Sequence, residues 1–488
     1  MKGGKAVGAG SYGCVFRPAL LCEGETERSA NTVTKLMNIE NFKEEEAELR
    51  RISPYIAKVP NNEKYFVVTQ IKKCVPKEYT REDLVDFNKI CKPLTKGIRV
   101  RGQMMYSTNA DYIERDTRRG YFVGLNLPDG GMDVFEFLIE TTPRPSKNDL
   151  ARFLGSFEEL IQNGIRPMNT VGVCHFDMKA ENMVYNPATN ETKVIDWGFA
   201  KYTAKTSPAP YLGKPIMQNQ PFTNLLFYTR RPKENPIIEY FIKEFLGKNK
   251  FVSSLLKNET LSSQEKKRGL INLLISDLRR SIFFNENSIQ EYFGNRHVLG
   301  HYSYVLDAFF GKRPALLLQT MSTQIANVLI EFSYDERKKH FVDFDLNRFF
   351  HTVFKYNVDI YGALTVLHNL PLPQKDIKSV MNNLMFSDEY AVKPYVIEDV
   401  LANIQSLREL FVPLPPVPVP AAPAAAPAAA APAPAAPAAD GHAARQALIK
   451  KFLGIQTNLG GKKNKKTRKS KKNKNKKAKS TRKKVKRN

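Results

Sequence analysis

The chain has 488 residues, a formal net charge of +26 and 42% hydrophobic residues, enough for about three domain-sized units with a sizeable core. No apolar run is long enough to span a bilayer, and the start, MKGGKAVGAG, lacks a signal-peptide hydrophobic region. We therefore expect no membrane span and an intracellular protein that is not secreted. The scattered cysteines form no CxxC pair, which argues against structural zinc and predicts free thiols in a reducing compartment. They are Cys14, Cys22, Cys74, Cys91 and Cys174.

The positive charge is concentrated at the C-terminal end. Residues 462–488 contain seventeen Lys or Arg and no acid, so the other residues carry +9. The composition is globular up to about residue 412. From Pro413 to Ala439 only Pro, Ala, Val and Leu occur, with ten prolines, which predicts an extended spacer. The basic end is predicted to be mostly disordered.

A glycine-rich segment, Gly8-Ala9-Gly10-Ser11-Tyr12-Gly13-Cys14-Val15, lies near the N-terminus. A lone GxGxxG is a weak signal, and a dinucleotide-binding fold would need a helix directly after the glycines. The next residues are β-prone and end at Pro18. This favours a strand–turn–strand flap whose backbone amides can approach a polyphosphate. A plain hairpin turn is the alternative.

A strand-like alternation follows and places Lys35 between apolar neighbours on one face. In the next predicted helix Glu45 lies inside the apolar stripe, and Pro54 is expected to end that helix near Ile52. A carboxylate on a buried face needs a cationic partner. We therefore predict a Lys35–Glu45 ion pair, with Glu48 as the second choice. An edge lysine that only covers apolar surface is the alternative.

Further elements are predicted from periodicity. Strands are expected at Lys64–Ile71 and Tyr121–Leu127, on either side of an irregular basic insertion over residues 74–118. A helix is expected to begin near Met132. The remaining predicted helices are Asp149–Ile165, Ile237–Leu246, Leu270–Phe284, Ala315–Phe332, Val358–Leu367 and Val396–Leu410.

The most informative stretch is Val173–Ala200, VCHFDMKAENMVYNPATNETKVIDWGFA. It places Asp177, Lys179 and Asn182 in one loop and, beyond a predicted hairpin, Asp196 at the other open end. Asp177 can accept a proton from a hydroxyl, and Asn182 and Asp196 offer the hard oxygens that Mg²⁺ prefers. The alternative is that these residues only form turns, in which Asp and Asn are common.

The motifs in order, a glycine flap, a strand lysine, a helix glutamate, HxDxKxxN and DxG, resemble the eukaryotic-type protein kinase superfamily. The resemblance spans roughly residues 3–410 and is greatest to serine/threonine kinases of large DNA viruses of algae. It implies an α+β, bilobal fold, with a β-rich N-lobe at 1–130 that carries the 74–118 insertion. A helical C-lobe at 131–412 would carry a helical insertion at about 230–350. A Pro/Ala-rich linker at 413–440 and a basic tail at 441–488 would follow.

The resemblance also implies cofactors and residue roles. ATP would be the phosphoryl donor, with Mg²⁺ or Mn²⁺ bound by Asn182 and Asp196. Asp177 would be the catalytic base, and Lys179 would neutralise charge on the transferred group. Lys35, paired with Glu45, would hold the α- and β-phosphates. The other implied nucleotide-binding residues are Gly8, Ala9, Gly10, Ser11, Gly13, Val15, Leu125, Asn126 and Asp129, with Asn126–Asp129 as the hinge.

Two residues would be structural under this resemblance. His175 would brace the catalytic turn through hydrogen bonds. Asp359 would pin the backbone of that turn from a helix, a helix N-cap being the alternative for Asp359.

Trp197 replaces the usual phenylalanine of DxG, a size change that leaves metal binding intact. Pro128 lacks the N–H that adenine normally meets, which implies an altered hinge register or nucleotide affinity.

One departure concerns regulation. Phe176 stands where the family usually has arginine, so no guanidinium adjoins the base. We therefore do not expect activation by phosphorylation of Thr203, Thr206 or Ser207. No Ala-Pro-Glu ends the activation segment, and Pro221-Phe222-Thr223 is its candidate replacement.

Three functions remain open at this point. The first is a protein serine/threonine kinase acting on protein hydroxyls, in the host cytoplasm or nucleus or packaged in a virion. The second is a pseudokinase scaffold, and the third a small-molecule kinase of the aminoglycoside or choline kinase type. The tail at 461–488 is predicted to bind nucleic acid or an acidic surface, or only to aid solubility and localisation.

Overall fold

A computed structural model describes residues 4–10, 13–68, 71–95, 98–100, 103–105, 110, 112–203, 219–227, 236–280, 314–335, 340–341 and 343–412. All of them belong to one compact unit, Met1–Val417. The predicted linker, the basic tail and part of the 230–350 insertion lie outside the described residues. So do Ser11, Thr206 and Ser207.

The described strands are short and concentrated in the N-terminal part. They are β1 (Lys5–Ala9), β2 (Gly13–Arg17), β3 (Thr32–Asn38), β4 (Lys72–Cys74), β5 (Ile98–Val100), β6 (Gln103–Met105), β7 (Phe122–Pro128), β8 (Met132–Asp133), β9 (Val173–Cys174), β10 (Met183–Asn186), β11 (Glu191–Val194), β12 (Lys201–Tyr202), β13 (Tyr334–Asp335) and β14 (His340–Phe341).

The described helices dominate the C-terminal part. They are α1 (Ile39–Ile56), α2 (Asn62–Tyr65), α3 (Phe87–Ile90), α4 (Lys92–Thr95), α5 (Ile113–Arg118), α6 (Lys147–Glu159), α7 (Arg166–Thr170), α8 (Pro236–Tyr240), α9 (Lys250–Lys257), α10 (Ser263–Arg280), α11 (Pro314–Glu331), α12 (Leu346–Phe349), α13 (Lys355–Leu364), α14 (Gln374–Asn383), α15 (Asp388–Val392) and α16 (Ile397–Glu409). Turns of π-helix cover Glu136–Glu140, Leu160–Ile165, Phe241–Leu246 and Phe350–Phe354, and 3₁₀ turns cover Ala180–Asn182, Phe222–Phe227 and Thr365–Asn369.

The N-terminal part is organised on a five-stranded antiparallel sheet in the order β1-β2-β3-β7-β4. The predicted flap is present as β1 and β2, and the Gly10 amide donates to the Gly13 carbonyl at 3.1 Å. A Cβ on Gly13 would lie 2.8 Å from the Leu36 carbonyl oxygen, so glycine permits the close approach of β2 to β3. A β-rich N-terminal region followed by a helical C-terminal region is compatible with a bilobal kinase-like fold.

One face of this sheet is covered by the 74–118 insertion. Phe87, Leu94 and Ile113 of the insertion pack against Phe16 and other sheet residues in a buried apolar cluster. Beside this cluster, Arg28 and Asp83 form a buried bidentate ion pair at 2.8 and 2.6 Å. The insertion is therefore an integral second layer of the N-terminal part.

Two disulfides fasten this layer, and the prediction of free thiols is wrong for four of the five cysteines. Cys14 on β2 is bonded to Cys91, and Cys22 to Cys74 on β4, with Cα–Cα distances of 5.2 Å in both. Cys174 is free and buried. The partners are separated by 77 and 52 residues, and their pairing depends on tertiary packing that spacing does not report. Persistent disulfides are typical of oxidising environments.

Three boundary predictions are also wrong. Helix α1 continues through Pro54 to Ile56, because a proline there removes only one intrahelical hydrogen bond and Ile56 is fully buried. In place of the predicted strand Lys64–Ile71 the described residues show the end of α2 and a single bridge from Phe66 to Val194 of β11, while residues 69 and 70 lie outside the described residues. The expected helix at Met132 begins later, because Met132 and Asp133 pair with β10 as β8.

The helices predicted in the C-terminal part are confirmed in position, except that residues 281–284 of the predicted helix Leu270–Phe284 lie outside the described residues. Helix α6 begins at a capping box in which Ser146 accepts from the Asp149 amide and Asp149 accepts from the Ser146 amide. The apolar faces of these helices join one large core with α1 and the inner face of the sheet. Among the described helices, none combines the length and apolar character that a bilayer span requires.

Candidate functional site

The loop between β9 and the Ala180–Asn182 turn is pinned from below by Asp359. This fully buried carboxylate accepts hydrogen bonds from the His175 amide at 2.9 Å, the Phe176 amide at 2.8 Å and Asn169 Nδ2 at 2.7 Å. Asp359 lies inside α13, so the N-cap alternative is wrong and the predicted pinning is confirmed. Phe176 is held at φ +65°, a left-handed conformation that costs about 1–3 kcal/mol in a non-glycine residue.

His175 braces this loop against the end of the hairpin, as predicted. Its Nδ1 accepts from the Asp177 amide at 3.3 Å, and its Nε2 lies 3.1 Å from the Ile195 carbonyl oxygen. The neutral tautomer with the proton on Nε2 satisfies both contacts. The Ile195 amide donates in turn to the Asn182 carbonyl at 2.9 Å. Ile195 is therefore bound on both sides, and the next residue, Asp196, is positioned beside the loop.

Asp177 is nearly buried and is surrounded by donors. Lys179 Nζ lies 3.0 Å from its Oδ2, and Asn182 Nδ2 donates at 2.8 Å both to Oδ2 and to the Asp177 carbonyl. An ammonium group and an amide thus fix one carboxylate oxygen in place. A carboxylate oriented in this way can accept the proton of a substrate hydroxyl and hold its oxygen in position.

The donor chemistry of Asn182 and Asp196 fits a magnesium ion. The hydrogen bonds from Asn182 to Asp177 use its amide nitrogen, which leaves its oxygen as the ligating atom. Asp196 is exposed and has φ +62°. No group of three or more His, Cys, Asp and Glu in the described chain has metal-binding geometry. Mg²⁺ usually takes only one or two protein ligands and completes its shell with water and phosphate oxygens.

The predicted phosphate-binding lysine lies in one cross-strand row of the sheet. Gly8 pairs with Val15, Val15 with Lys35, and Lys35 with Leu125, and directly paired residues share a face. A Cβ on Gly8 or Gly10 would meet nothing within 4 Å. The glycine flap therefore has open space beside Gly8, which shares a row with Val15, Lys35 and Leu125, and beside Gly10.

The predicted Lys35–Glu45 ion pair is present, with Nζ 2.7 and 2.6 Å from the two carboxylate oxygens. Burial lowers the pKa of Lys35, but the Glu45, Asp196 and Glu48 carboxylates raise it by more. The net shift is upward, so Lys35 is a cation at neutral pH. The Lys35 ammonium group therefore interacts both with Glu45 on α1 and with Asp196 at the end of the hairpin.

Asn126 is not brought to this face. It lies in β7, its Oδ1 accepts from the Thr34 hydroxyl at 2.6 Å, and its Nδ2 lies 3.2 Å from Cys22 Sγ. Strand alternation turns its side chain away from Lys35. Strand β7 continues through Pro128, and the assignment of Asn126–Asp129 to a nucleotide-binding hinge stays a prediction. Asp129 lies just beyond, with its carboxylate 2.8 Å from Arg17 Nη2.

In the described part of the segment after Gly198, Thr203 is the one predicted phosphorylation site that can be located. Phe176 packs in the main apolar core. The Thr203 hydroxyl is fully buried and donates to the Gly172 carbonyl at 2.9 Å. Thr203 is therefore inaccessible to phosphorylation in this conformation.

An acidic neighbour of the site, Asp133, was missed at the sequence level. Burial raises its pKa to about 6, with further increases from the Glu136, Glu181 and Glu140 carboxylates, against the lowering effect of the Glu136 amide 2.7 Å away. Glu136 and Glu140 are close to Asp133 in the sequence, whereas Glu181 lies 48 residues away and becomes its neighbour only in the fold.

Because its pKa is raised on folding, ionised Asp133 opposes folding. The stability that its neutral form supplies is complete below the unfolded value of 3.8 and is lost as pH rises through about 6. We expect Asp133→Asn to raise the free energy of unfolding by about 1–2 kcal/mol at pH 8, after allowance for partial exposure. The gain should fade towards pH 4. Urea titrations across this pH range measure it, and a pH-independent effect would contradict the assignment.

Comparison with known proteins gives a partial similarity. No protein-family model matches the chain. A 73-residue region, 14% of this chain, is 29% identical to a probable casein kinase II subunit alpha homolog of Encephalitozoon cuniculi (strain GB-M1). The region spans 23% of that protein's length. The similarity supports a protein-kinase-like relationship for this chain.

Proposed function

We propose that this chain is an ATP- and Mg²⁺-dependent serine/threonine protein kinase that transfers the γ-phosphate to protein hydroxyls. The observation that carries the proposal is the hydrogen-bonded group of Asp177, Lys179 and Asn182, tied to Asp196 through Ile195. The weak similarity to a casein kinase II subunit supports the same class of activity.

In this mechanism the protein mainly positions groups and screens charge. The Asp177 carboxylate, held through its Oδ2 by Lys179 and Asn182, orients the acceptor hydroxyl and takes its proton. Lys179, 3.0 Å from Asp177 Oδ2, lies where it can stabilise charge on the transferred group. Lys35 holds the non-transferred phosphates, kept in place by Glu45. Asn182 and Asp196 would hold the metal ion, whose chemistry when bound would be to neutralise phosphate charge.

We further propose that activity does not depend on phosphorylation near the start of the activation segment. The apolar Phe176 provides no charge for a phosphate, and Thr203 is buried. An unphosphorylated protein expressed in bacteria and treated with phosphatase should retain its full rate.

The acceptor class is tested by incubating full-length protein with γ-labelled ATP, Mg²⁺ and separate acceptors. These are casein, histone, choline and an aminoglycoside. Labelled phosphoserine or phosphothreonine that is lost in Asp177→Asn, but not in the matched control Asp343→Asn, supports the proposal; Asp343 is exposed. Labelled choline or aminoglycoside alone would indicate a small-molecule kinase. Absence of any Asp177-dependent label would indicate a scaffold.

The basic end of the chain carries a separate proposal, that residues 461–488 bind nucleic acid without sequence preference. Seventeen unopposed cations would release phosphate counterions on binding. We expect deletion of 461–488 to abolish DNA binding and moderate salt to weaken it steeply, as measured by fluorescence anisotropy. Binding that persists at about 0.5 M salt would contradict this proposal.

A further inference from the structure

One side of helix α1 contacts the chain just beyond Gly198. Arg51 Nη2 donates to the Ala200 carbonyl at 3.2 Å. The rings of Tyr55 and Tyr202 are stacked, with centroids 3.7 Å apart and planes 11° apart. Residues four apart lie on the same side of a helix, so Arg51 and Tyr55 act on one segment. We call these four residues the α1–β12 clamp.

The other edge of the same segment is attached to the loop that carries Asp177. Strand β12 pairs with β9, Lys201 opposite Cys174 and Tyr202 opposite Val173. The Thr203 amide and hydroxyl both donate to the Gly172 carbonyl, at 2.6 and 2.9 Å. Strand β12 is therefore held between β9, which leads into Asp177, and α1, which carries Glu45.

Charged side chains also lie at the contact between α1 and the segment after Gly198. Glu48 precedes Arg51 by three residues on α1, and its Oε2 would lie 3.4 Å from a Cβ on Gly198. Burial raises the pKa of Glu48, with the Glu45 and Asp196 carboxylates raising it further, against the lowering effect of Arg51 and Lys201. Arg51 and Lys201 are therefore close enough to interact with the Glu48 carboxyl group. The contact between α1 and this segment extends from Gly198 to Tyr202.

We propose that Tyr55 and Tyr202 are positioning residues that hold the Lys35–Glu45 pair in register with Asp177. The inference rests on the kinase function proposed above. It deepens that function by naming the residues that hold α1 against the segment after Gly198. Phe176 packs in the apolar core and Thr203 is buried, so neither makes a phosphate contact in this conformation.

The expected effects follow from the stack. The free energy that a stacked aromatic pair contributes corresponds to about a ten-fold change in a rate. We expect Tyr55→Ala and Tyr202→Ala each to lower kcat about ten-fold, with little change in KM for the protein substrate. The double variant should be no slower than either single variant, because both remove one contact. Tyr55→Phe keeps the stacking ring and should retain the wild-type rate.

Two measurements test the proposal, steady-state kinetics and amide hydrogen exchange, with Tyr121→Ala as the matched control for loss of an exposed tyrosine ring. Tyr55→Ala should speed exchange at residues 201–203 and in the turn of α1 around Glu45, whereas Tyr55→Phe and Tyr121→Ala should not. Unchanged exchange, or additive losses of kcat, would overturn the clamp. Absence of transfer by wild-type protein would instead overturn the kinase function, while the exchange data would still decide whether the clamp holds this segment.

Discussion

Removal of the Asp359 carboxylate is expected to destabilise the fold by about 3–5 kcal/mol and to reduce phosphoryl transfer below detection. The carboxylate accepts from two backbone amides and one side-chain amide in a fully buried environment. Asp359→Ala leaves those donors without an acceptor. It also releases Phe176 from its positive φ, so the loop that presents Asp177 should relax.

Asp359→Asn separates the two consequences. It retains one acceptor oxygen and nearly the same volume, so we expect a smaller loss of about 1–3 kcal/mol. Urea denaturation measures both variants, with the exposed Asp343→Ala as the matched control. If Asp359→Ala unfolds at the wild-type urea concentration, the pinning role is wrong.

Loss of the two disulfides is expected to have the second large effect. Each closes a loop, of 77 residues for Cys14–Cys91 and 52 for Cys22–Cys74, and bonds of this kind stabilise proteins by about 2–4 kcal/mol. The loops are nested, so removing both should cost less than the sum. The loss should appear as a lower Tm in dithiothreitol, which reduces each disulfide to two thiols.

The variants Cys14→Ala/Cys91→Ala and Cys22→Ala/Cys74→Ala assign the loss to each bond. Cys174→Ala serves as the control, because this thiol is free and its variant should keep the full sensitivity to dithiothreitol. Five free thiols in the native protein, counted with a thiol reagent after denaturation without reductant, would rule out both bonds.

Much of the site follows from local sequence patterns. Period-2 alternation gave Lys35 its face, and the apolar stripe of α1 identified Glu45 as its partner. The turn residues between β10 and β11 indicated the hairpin that brings Asp196 beside Asn182. These features depend on residues close together in sequence, where backbone geometry alone restricts the outcome.

The remaining features depend on tertiary contacts. The register of β7 determines that Leu125, and not Asn126, shares a face with Lys35, and an error of one residue reverses this. The two disulfides and the stack of Tyr55 on Tyr202 join distant segments with no local signal. Residues 65–68 are β-prone, yet Tyr65 ends a short helix and Phe66 forms a single bridge to Val194 while its ring packs against Trp197.

We propose above that Asp177 catalyses phosphoryl transfer, whereas other residues, Lys35 and the glycine flap, bind the nucleotide. The most direct test of this proposal compares the single-turnover rate of transfer and the Kd for Mg²⁺·ATP in wild type and Asp177→Asn. We predict a fall in rate of about 10²–10⁴-fold, with the Kd unchanged within about two-fold. Equal rates in the two proteins would contradict the claim.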